Sequence, residues 1–175
     1  AEVFYYMELI VAKNNKNSIG KDGELMWHIS KDLHRFRKLT QNQIVVMGRK
    51  TYASLPNGPL KNRINVIITR EPAKYSQDIN NVYFVTLETC NVLLNELQLR
   101  HRKSVFIIGG TDIYHHFYPR CSTLHITEVD DDQDGDTQFP ISDEQIMKEY
   151  QIVAKETQRD EKTKMLYSFC TYKKM

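Results

Sequence analysis

Cysteine is scarce in this chain: Cys90, Cys121 and Cys170 are its only three among 175 residues, far apart and without a CxxC pair. That spacing argues against a disulfide framework or thiolate metal site and reads as buried free thiols in a reducing compartment. No apolar run approaches the roughly 18 residues that a membrane helix needs. Glu2 and Glu8 bracket the first apolar stretch, where a secretory signal would start with cations. A cytoplasmic protein with no membrane partner is expected. Charge of one sign is not in excess, since the net of +2 is too small to argue for nucleic acid. HxxH, HExxH, GxSxG and GxxxxGK[ST] do not occur, which sets aside the common zinc, serine-hydrolase and P-loop chemistries. The six histidines read as structural or surface; His115 and His116 are adjacent and point about 100° apart on a helix. With no repeats, low-complexity tracts or linkers, the length suits one domain, 1–175, and nothing requires an oligomer.

What is present begins with an uneven charge distribution. Residues 1–75 carry 13 Lys+Arg against 6 Asp+Glu, whereas residues 76–175 carry 11 against 16. A basic half in one domain suggests an anionic small ligand on that side, or else a solvated face.

Several short apolar runs read as buried strands: 4–12, 43–48, 64–69, 82–85 and 104–108, with 123–129 alternating and the final YQIVAKETQ and MLYSFCTYKK forming an antiparallel hairpin. The expectation is an α/β fold. The 13–27 segment has no periodicity and reads as a long functional loop, with Gly20 and Gly23 allowing movement and Leu25, Met26 and Trp27 supplying apolar contacts. Two strands run into glycine and then a helix. Gly48 is followed by Arg49, Lys50 and Thr51, either a phosphate cradle of free N–H groups, cations and a hydroxyl or an ordinary βα turn. Gly109-Gly110 repeat the plan and would let backbone approach a pyrophosphate. Arg70 ends the strand over 64–69, where open α/β sheets bind ligands. In the helix after Thr86, Leu87, Val92, Leu93 and Leu97 can face a core. The acidic run 130–136 imitates half an EF-hand, but its twelfth position is Ile141, so calcium is not expected.

Residues 25–40, LMWHISKDLHRFRKLT, organise the rest. Ser30 is the expected N-cap; Leu33, Phe36, Arg37 and Thr40 share one face, and Lys31, Arg35 and Lys38 another. Asp32 sits at the edge of the Leu33/Phe36 face. Burial there raises a carboxyl above its free value of about 3.9 while the helix N-terminus lowers it. Such a group can hold a cationic or amide-like ligand and help deliver a proton; the alternative is an acid that merely complements the helix dipole.

These stretches, ELIVAKNNKNSIG, LMWHISKDLHRFRKLT, VVMGRKTYASL, NVIITR, VFIIGGTDIY, HITEV and GDTQFP, stand in one order along nearly the whole chain and resemble the dihydrofolate reductase family. The resemblance implies a single-domain, mostly parallel eight-stranded sheet with flanking helices and an antiparallel C-terminal hairpin. It implies NADPH-dependent reduction of 7,8-dihydrofolate to tetrahydrofolate, with hydride passing from nicotinamide C4 to pterin C6. Asp32 matches the acid that grips the pterin 2-amino group and N3 and promotes N5 protonation through a water, and Thr127 the hydroxyl bonded to that acid. Val11 and Ala12 match backbone beside pterin and nicotinamide. Leu33, Phe36, Leu55 and Leu60 match the apolar walls; Arg63, assisted by Arg37, matches the arginine for the glutamate α-carboxylate.

For the cofactor, Gly48, Arg49, Lys50 and Thr51 match one phosphate site and Gly109-Gly110 the other. Thr69 and Arg70 match the adenosine side, with Arg49 and Arg70 favouring the 2′-phosphate. Ile108 and Tyr114 match the nicotinamide wall, and Ile19, Gly20, Leu25 and Trp27 the closing loop. Implied partners are the substrate and antifolate inhibitors. Three positions depart from the family pattern: Met26 and Ser30 stand where proline is common, and Tyr52 where tryptophan is. Three readings compete with this one: a pterin- or pyrimidine-reducing relative of the same fold, a module that binds NADPH or folate without turnover, and a nucleic-acid binder using Lys31, Arg35 and Lys38, which has only three cations and no aromatic platform.

Overall fold

The β-branched and apolar runs form the centre of a sheet, as their continuous hydrophobicity requires. In a computed structural model, residues 7–77 and 79–175 are described; residues 4–6 of the first expected strand lie outside them. In chain order the elements are β1 (Met7–Asn14), β2 (Ser18–Lys21), β3 (Glu24–Leu25), α1 (Ser30–Thr40), β4 (Ile44–Gly48), α2 (Arg49–Ser54), β5 (Ile64–Ile68), β6 (Val82–Val85), α3 (Leu87–His101), β7 (Val105–Ile107), α4 (Thr111–Phe117), β8 (Cys121–Val129), β9 (Thr137–Gln138), α5 (Asp143–Glu149), β10 (Tyr150–Arg159) and β11 (Leu166–Lys174).

Eight strands pair in the order β10-β11-β8-β1-β7-β4-β5-β6. The six from β8 to β6 are parallel, and β11 runs antiparallel to both β8 and β10. This is the expected mostly parallel sheet with its antiparallel C-terminal hairpin. Side chains alternate between two cores. Leu9, Val46, Val66 and Ile107 pack with Leu94 and Leu97 of α3 and Phe117 of α4. Ile10, Val45, Met47 and Ile67 pack instead against Phe36 and Leu39 of α1 and Tyr52 of α2. Each fully buried Leu, Ile or Val of this kind contributes about 1.5–3 kcal/mol. Where both faces of a parallel sheet are covered, the carboxyl ends of its strands are where ligands are accommodated.

Four local expectations are corrected. Ser30 is the first helical residue of α1; Ile29, in extended backbone, precedes it and no side chain caps the end. The buried side of α1 carries Asp32, Arg35, Phe36, Leu39 and Thr40, while Leu33 and Arg37 are exposed. Arg35 therefore does not share a solvated face with Lys31 and Lys38. The sheet rises against the helix on the Asp32/Phe36/Leu39 line, which a purely apolar pattern does not locate.

The 13–27 segment is structured. Asp22 and Gly23, both at positive φ, turn β2 back onto β3, a two-residue Asp-Gly hairpin that the sequence does signal. Gly20 is accordingly a strand residue, paired with Leu25 and Thr137. Val92 is exposed, and Cys90, Leu94, Leu97 and Gln98 make the inner face of α3. Finally, α5 was not anticipated, although Ser142 accepts from Gln145 N at 3.1 Å as its cap. All three cysteines are buried and free, as expected. No helix among the described residues is long and apolar enough to cross a membrane.

Candidate functional site

A groove of about 1440 Å³ runs along the carboxyl ends of the parallel strands. Its floor is largely main chain. Gly48 N donates to Gly109 O at 2.9 Å, tying the ends of β4 and β7 together. A Cβ on Gly48 would come within 3.2 Å of the Ile113 side chain, and one on Gly109 within 3.2 Å of the Tyr114 ring. Gly109 also has φ +119, a conformation that favours glycine. Gly110 follows it through a cis peptide and faces Thr51 Oγ1. Tyr114 is held under this floor by donating its hydroxyl to Ile10 O at 2.8 Å; burial pushes its phenol far above the usual range.

Cations rim the groove: Arg49 and Lys50 begin α2 and are exposed, and Arg70 is exposed beyond β5. Thr69 lines the same end, buried, its hydroxyl accepting from Glu71 N at 3.2 Å. The glycine floor and the cations Arg49, Lys50 and Arg70 suit a dinucleotide with several phosphates. Ile19, Gly20 and Leu25 of the β2–β3 hairpin form the opposite lip, and Leu25 is 58 % exposed there.

Val11, Ala12 and Ile108 carry the groove into a second region. Ile108, Phe36, Leu55 and Leu60 pack against one buried cluster that includes Ile10 and Met47, and Ala12 packs against the cluster of Trp27 and Ile29. Asp32 lies here, half-buried in the first turn of α1, and accepts from Thr127 Oγ1 at 2.6 Å. Burial raises its carboxyl above the ordinary aspartate range; the Thr127 bond and the Arg35 charge oppose that rise but do not cancel it. Leu33 is 41 % exposed at the rim.

Further out, Arg63 is buried and its guanidinium fixed by three protein acceptors: Nε to Thr40 Oγ1 at 3.2 Å, one terminal nitrogen to Lys61 O at 2.9 Å, the other to Arg37 O at 3.4 Å. Three of five N–H groups are thus used, leaving one on each terminal nitrogen, the fork that a carboxylate accepts from. Arg37 shares only its backbone carbonyl with this arrangement; Arg63's own burial, and after it the Arg37 charge, lower Arg63 from its usual value.

The expected residues therefore gather into two adjoining regions, one around the glycine floor and one around Asp32. Three supporting residues were not anticipated. Asn65, buried in β5, accepts from Leu60 N at 3.0 Å and donates to Leu60 O at 2.9 Å, pinning the wall that carries Leu60. Asp131 accepts from Trp27 Nε1 at 3.2 Å and from Asn14 Nδ2 at 3.4 Å, which explains how Trp27 is buried with its N–H satisfied. Asp136 accepts from Asp22 N at 2.9 Å, holding the hairpin tip. The other aspartates of the acidic run receive Asn15 and Lys16. These acids are spent on the amides and cations of 14–22, a pairing over more than 100 residues for which the local sequence carries no signal.

A family model described as dihydrofolate reductase matches residues 6–174. The chain belongs to the dihydrofolate reductase family. It is 31% identical over 170 residues to the dihydrofolate reductase of Bacillus subtilis (strain 168), covering 96% of this chain and 94% of that protein. It is 33% identical over 137 residues to dihydrofolate reductase HdrB of Haloferax volcanii, covering 75% and 69% respectively. Among solved structures, dihydrofolate reductase from Enterococcus faecalis complexed with NADP(H) and RAB-propyl superimposes with a TM-score of 0.79 at 26% identity, over 98% of this chain and 99% of that one. As a member of the family the chain is an NADPH-dependent dihydrofolate reductase, and NADPH is its cofactor.

Proposed function

We propose that the groove and the Asp32 region together reduce 7,8-dihydrofolate to 5,6,7,8-tetrahydrofolate within one domain, 1–175. The observation that carries this reading is a single carboxyl, Asp32, sheltered from water and gripped by Thr127, whose strand neighbour Ala12 lines the groove. NADPH, when bound, supplies the hydride that reaches pterin C6 from nicotinamide C4.

The residues present fit that cofactor. Gly48 and Gly109, which have no room for a Cβ against Ile113 and Tyr114, bring bare main chain to the groove. Lys50, Thr51 and Gly110 hold phosphate oxygens, while Arg49 and Arg70 select the 2′-phosphate and Thr69 the adenosine side. Ile108 and Tyr114 form the nicotinamide wall with the Ala12 backbone. Ile19, Gly20 and Leu25 close over it, steadied by Trp27, and exclude water from the reacting carbons.

Asp32 orients the substrate by accepting from the pterin 2-amino group and N3. Burial raises its carboxyl above the ordinary aspartate range, and the group promotes proton delivery to N5 through a water. Thr127 fixes the carboxyl's rotamer. Val11 packs beside the pterin, and Leu33, Phe36, Leu55 and Leu60 flank the aminobenzoyl group. The outer fork of Arg63 takes the glutamate α-carboxylate, with Arg37 adding positive charge. The protein acts as a cytoplasmic monomer in this reading, supported by three buried free thiols and a site assembled from one chain. Antifolate inhibitors compete for the Asp32 region.

The test is spectrophotometric. Folded protein with NADPH should consume it only on addition of dihydrofolate, more slowly with NADH, and stop with methotrexate. NADPH binding without dihydrofolate-dependent oxidation would make the chain a binding module. Turnover of another pterin or pyrimidine in preference to dihydrofolate would move it to a different reductase of this fold.

A further inference from the structure

Arg35 belongs to neither binding region just described, yet it is placed with care. It sits one turn after Asp32 on α1, the spacing at which helical side chains are neighbours. Lys31 and Lys38 of the same helix are exposed, whereas Arg35 is half-buried. Its guanidinium carbon lies 4.8 Å from the centroid of the Phe169 ring, and Nη2 donates to Thr171 Oγ1 at 3.4 Å. Both partners are on β11. Phe169 is the direct cross-strand partner of Thr127, and Thr127 is the residue that donates to Asp32. Two neighbours on the helix thus dock on two neighbours on the sheet, and the contacts close into a ring: Asp32, Thr127, Phe169, Arg35.

We propose that Arg35 is a positioning residue for the reaction: clamped on Phe169 and Thr171, it locks the first turns of α1 to the sheet and presents a fixed positive charge to the Asp32 carboxyl. The proposal rests on the reading of Asp32 given above. A planar guanidinium can stack on the ring and still donate in its own plane, which an ammonium cannot do.

The surroundings leave this charge unusually influential. From α4, Tyr114 faces Asp32, and from β11, Tyr167 does; burial raises both phenols, so they stay neutral around pH 7. Facing Arg35 are Asp32 itself, Cys170 of β11, whose thiol burial also raises, and Glu156 of β10. Burial lowers Arg35 from its usual value, but an arginine starts so far above neutrality that it remains charged. Its attraction partly offsets the rise that burial imposes on Asp32. With that charge removed, Asp32 holds its proton to higher pH.

The experiment compares Arg35→Gln, which removes charge and clamp, with Arg35→Lys, which keeps the charge. The unliganded proteins are titrated by carbon-13 NMR of the aspartate carboxyls, with the Asp32 signal assigned by its loss in Asp32→Asn. The pH profile of kcat is measured alongside. Arg35→Gln should move the Asp32 titration, and the alkaline limb of the kcat profile, up by roughly half a unit to one unit. Arg35→Lys should bring both back towards the parent while raising the KM for dihydrofolate, because the clamp is lost; the NADPH Kd should be unchanged in both. An Asp32 titration identical in the parent and Arg35→Gln overturns the proposal. Should Arg35→Gln melt below the assay temperature, Arg35→Met, which keeps the stem on the ring, gives the same comparison. A parent with no dihydrofolate-dependent turnover would sink the functional reading instead, and the NMR titration would still judge the Arg35–Asp32 coupling.

Discussion

The groove and the Asp32 region meet at Ile108 and Ala12 but are built from different materials. The groove floor depends on missing atoms: without side chains, Gly48 and Gly109 pack directly on Ile113 and Tyr114, and the cations Arg49, Lys50 and Arg70 stand exposed. The Asp32 region is shaped by buried side chains whose polar atoms are fixed by partners far away in sequence, Thr127 for Asp32 and Thr40 for Arg63. Main chain held by a sheet is rigid without further support. A buried carboxyl or guanidinium needs each neighbour in place, since its position is set by hydrogen bonds and its charge by desolvation. The groove should therefore be damaged by added atoms and the Asp32 region by removed ones.

The largest expected effect is at Asp32. Asp32→Asn keeps a Thr127 acceptor but removes the ionisable group, and kcat at neutral pH should fall about 10²- to 10⁴-fold with NADPH affinity intact. The loss should shrink towards acid pH, where the substrate protonates more easily; a rate equal to the parent's from pH 5 to 9 would break the assignment. Next is Arg63→Ala, which removes one or two charge-assisted bonds of about 1.5–3 kcal/mol each. The dihydrofolate KM should rise at least tenfold with the NADPH Kd unchanged, as read by paired steady-state and binding titrations. The reverse pattern would misplace the glutamate tail.

In the groove the sign reverses. Gly109→Ala adds a single methyl, yet it strains a φ of +119 and meets the Tyr114 ring at 3.2 Å, so about 1–3 kcal/mol of stability should be lost in denaturant titration, together with NADPH affinity. Arg70→Ala, although it removes a whole cation, should cost less. Its exposed charge is screened, and the measurable change should be a several-fold smaller NADPH/NADH preference.

The smallest effect sharpens the comparison most. Because burial raises Asp32, the folded protein gains stability from its neutral form at low pH and loses it as pH rises through the folded-state titration. Asp32→Asn should therefore raise the Tm of the unliganded protein at neutral pH, and the gain should vanish in acid. No groove glycine can behave this way, since none titrates.

Local chemistry made the groove legible. Strand–glycine–cation and strand–glycine–glycine junctions are contiguous in sequence, so Gly48 to Thr51 and Gly109-Gly110 could be recognised without knowing the fold. The Asp32 region was legible in its residues but not in its support. Asp32 stands out as an acid beside an apolar face, yet Arg35 is grouped with Lys31 and Lys38, because helical periodicity gives relative angles and not the direction of the sheet. Trp27 reads as an apolar contact of the loop; the partner that satisfies its buried N–H, Asp131, lies more than 100 residues away.

By itself the sequence determined the alternation of buried strands and helices, the parallel class of the sheet and the two glycine junctions, because these follow from side-chain period and backbone freedom within a few residues. Tertiary structure alone decided which face of α1 is buried, that Thr127 and Phe169 lie side by side beneath it, and that the aspartates of 130–136 clasp the loop 14–22. Those outcomes depend on strand order and register, and desolvation acts on a carboxyl only once distant strands have excluded the water around it.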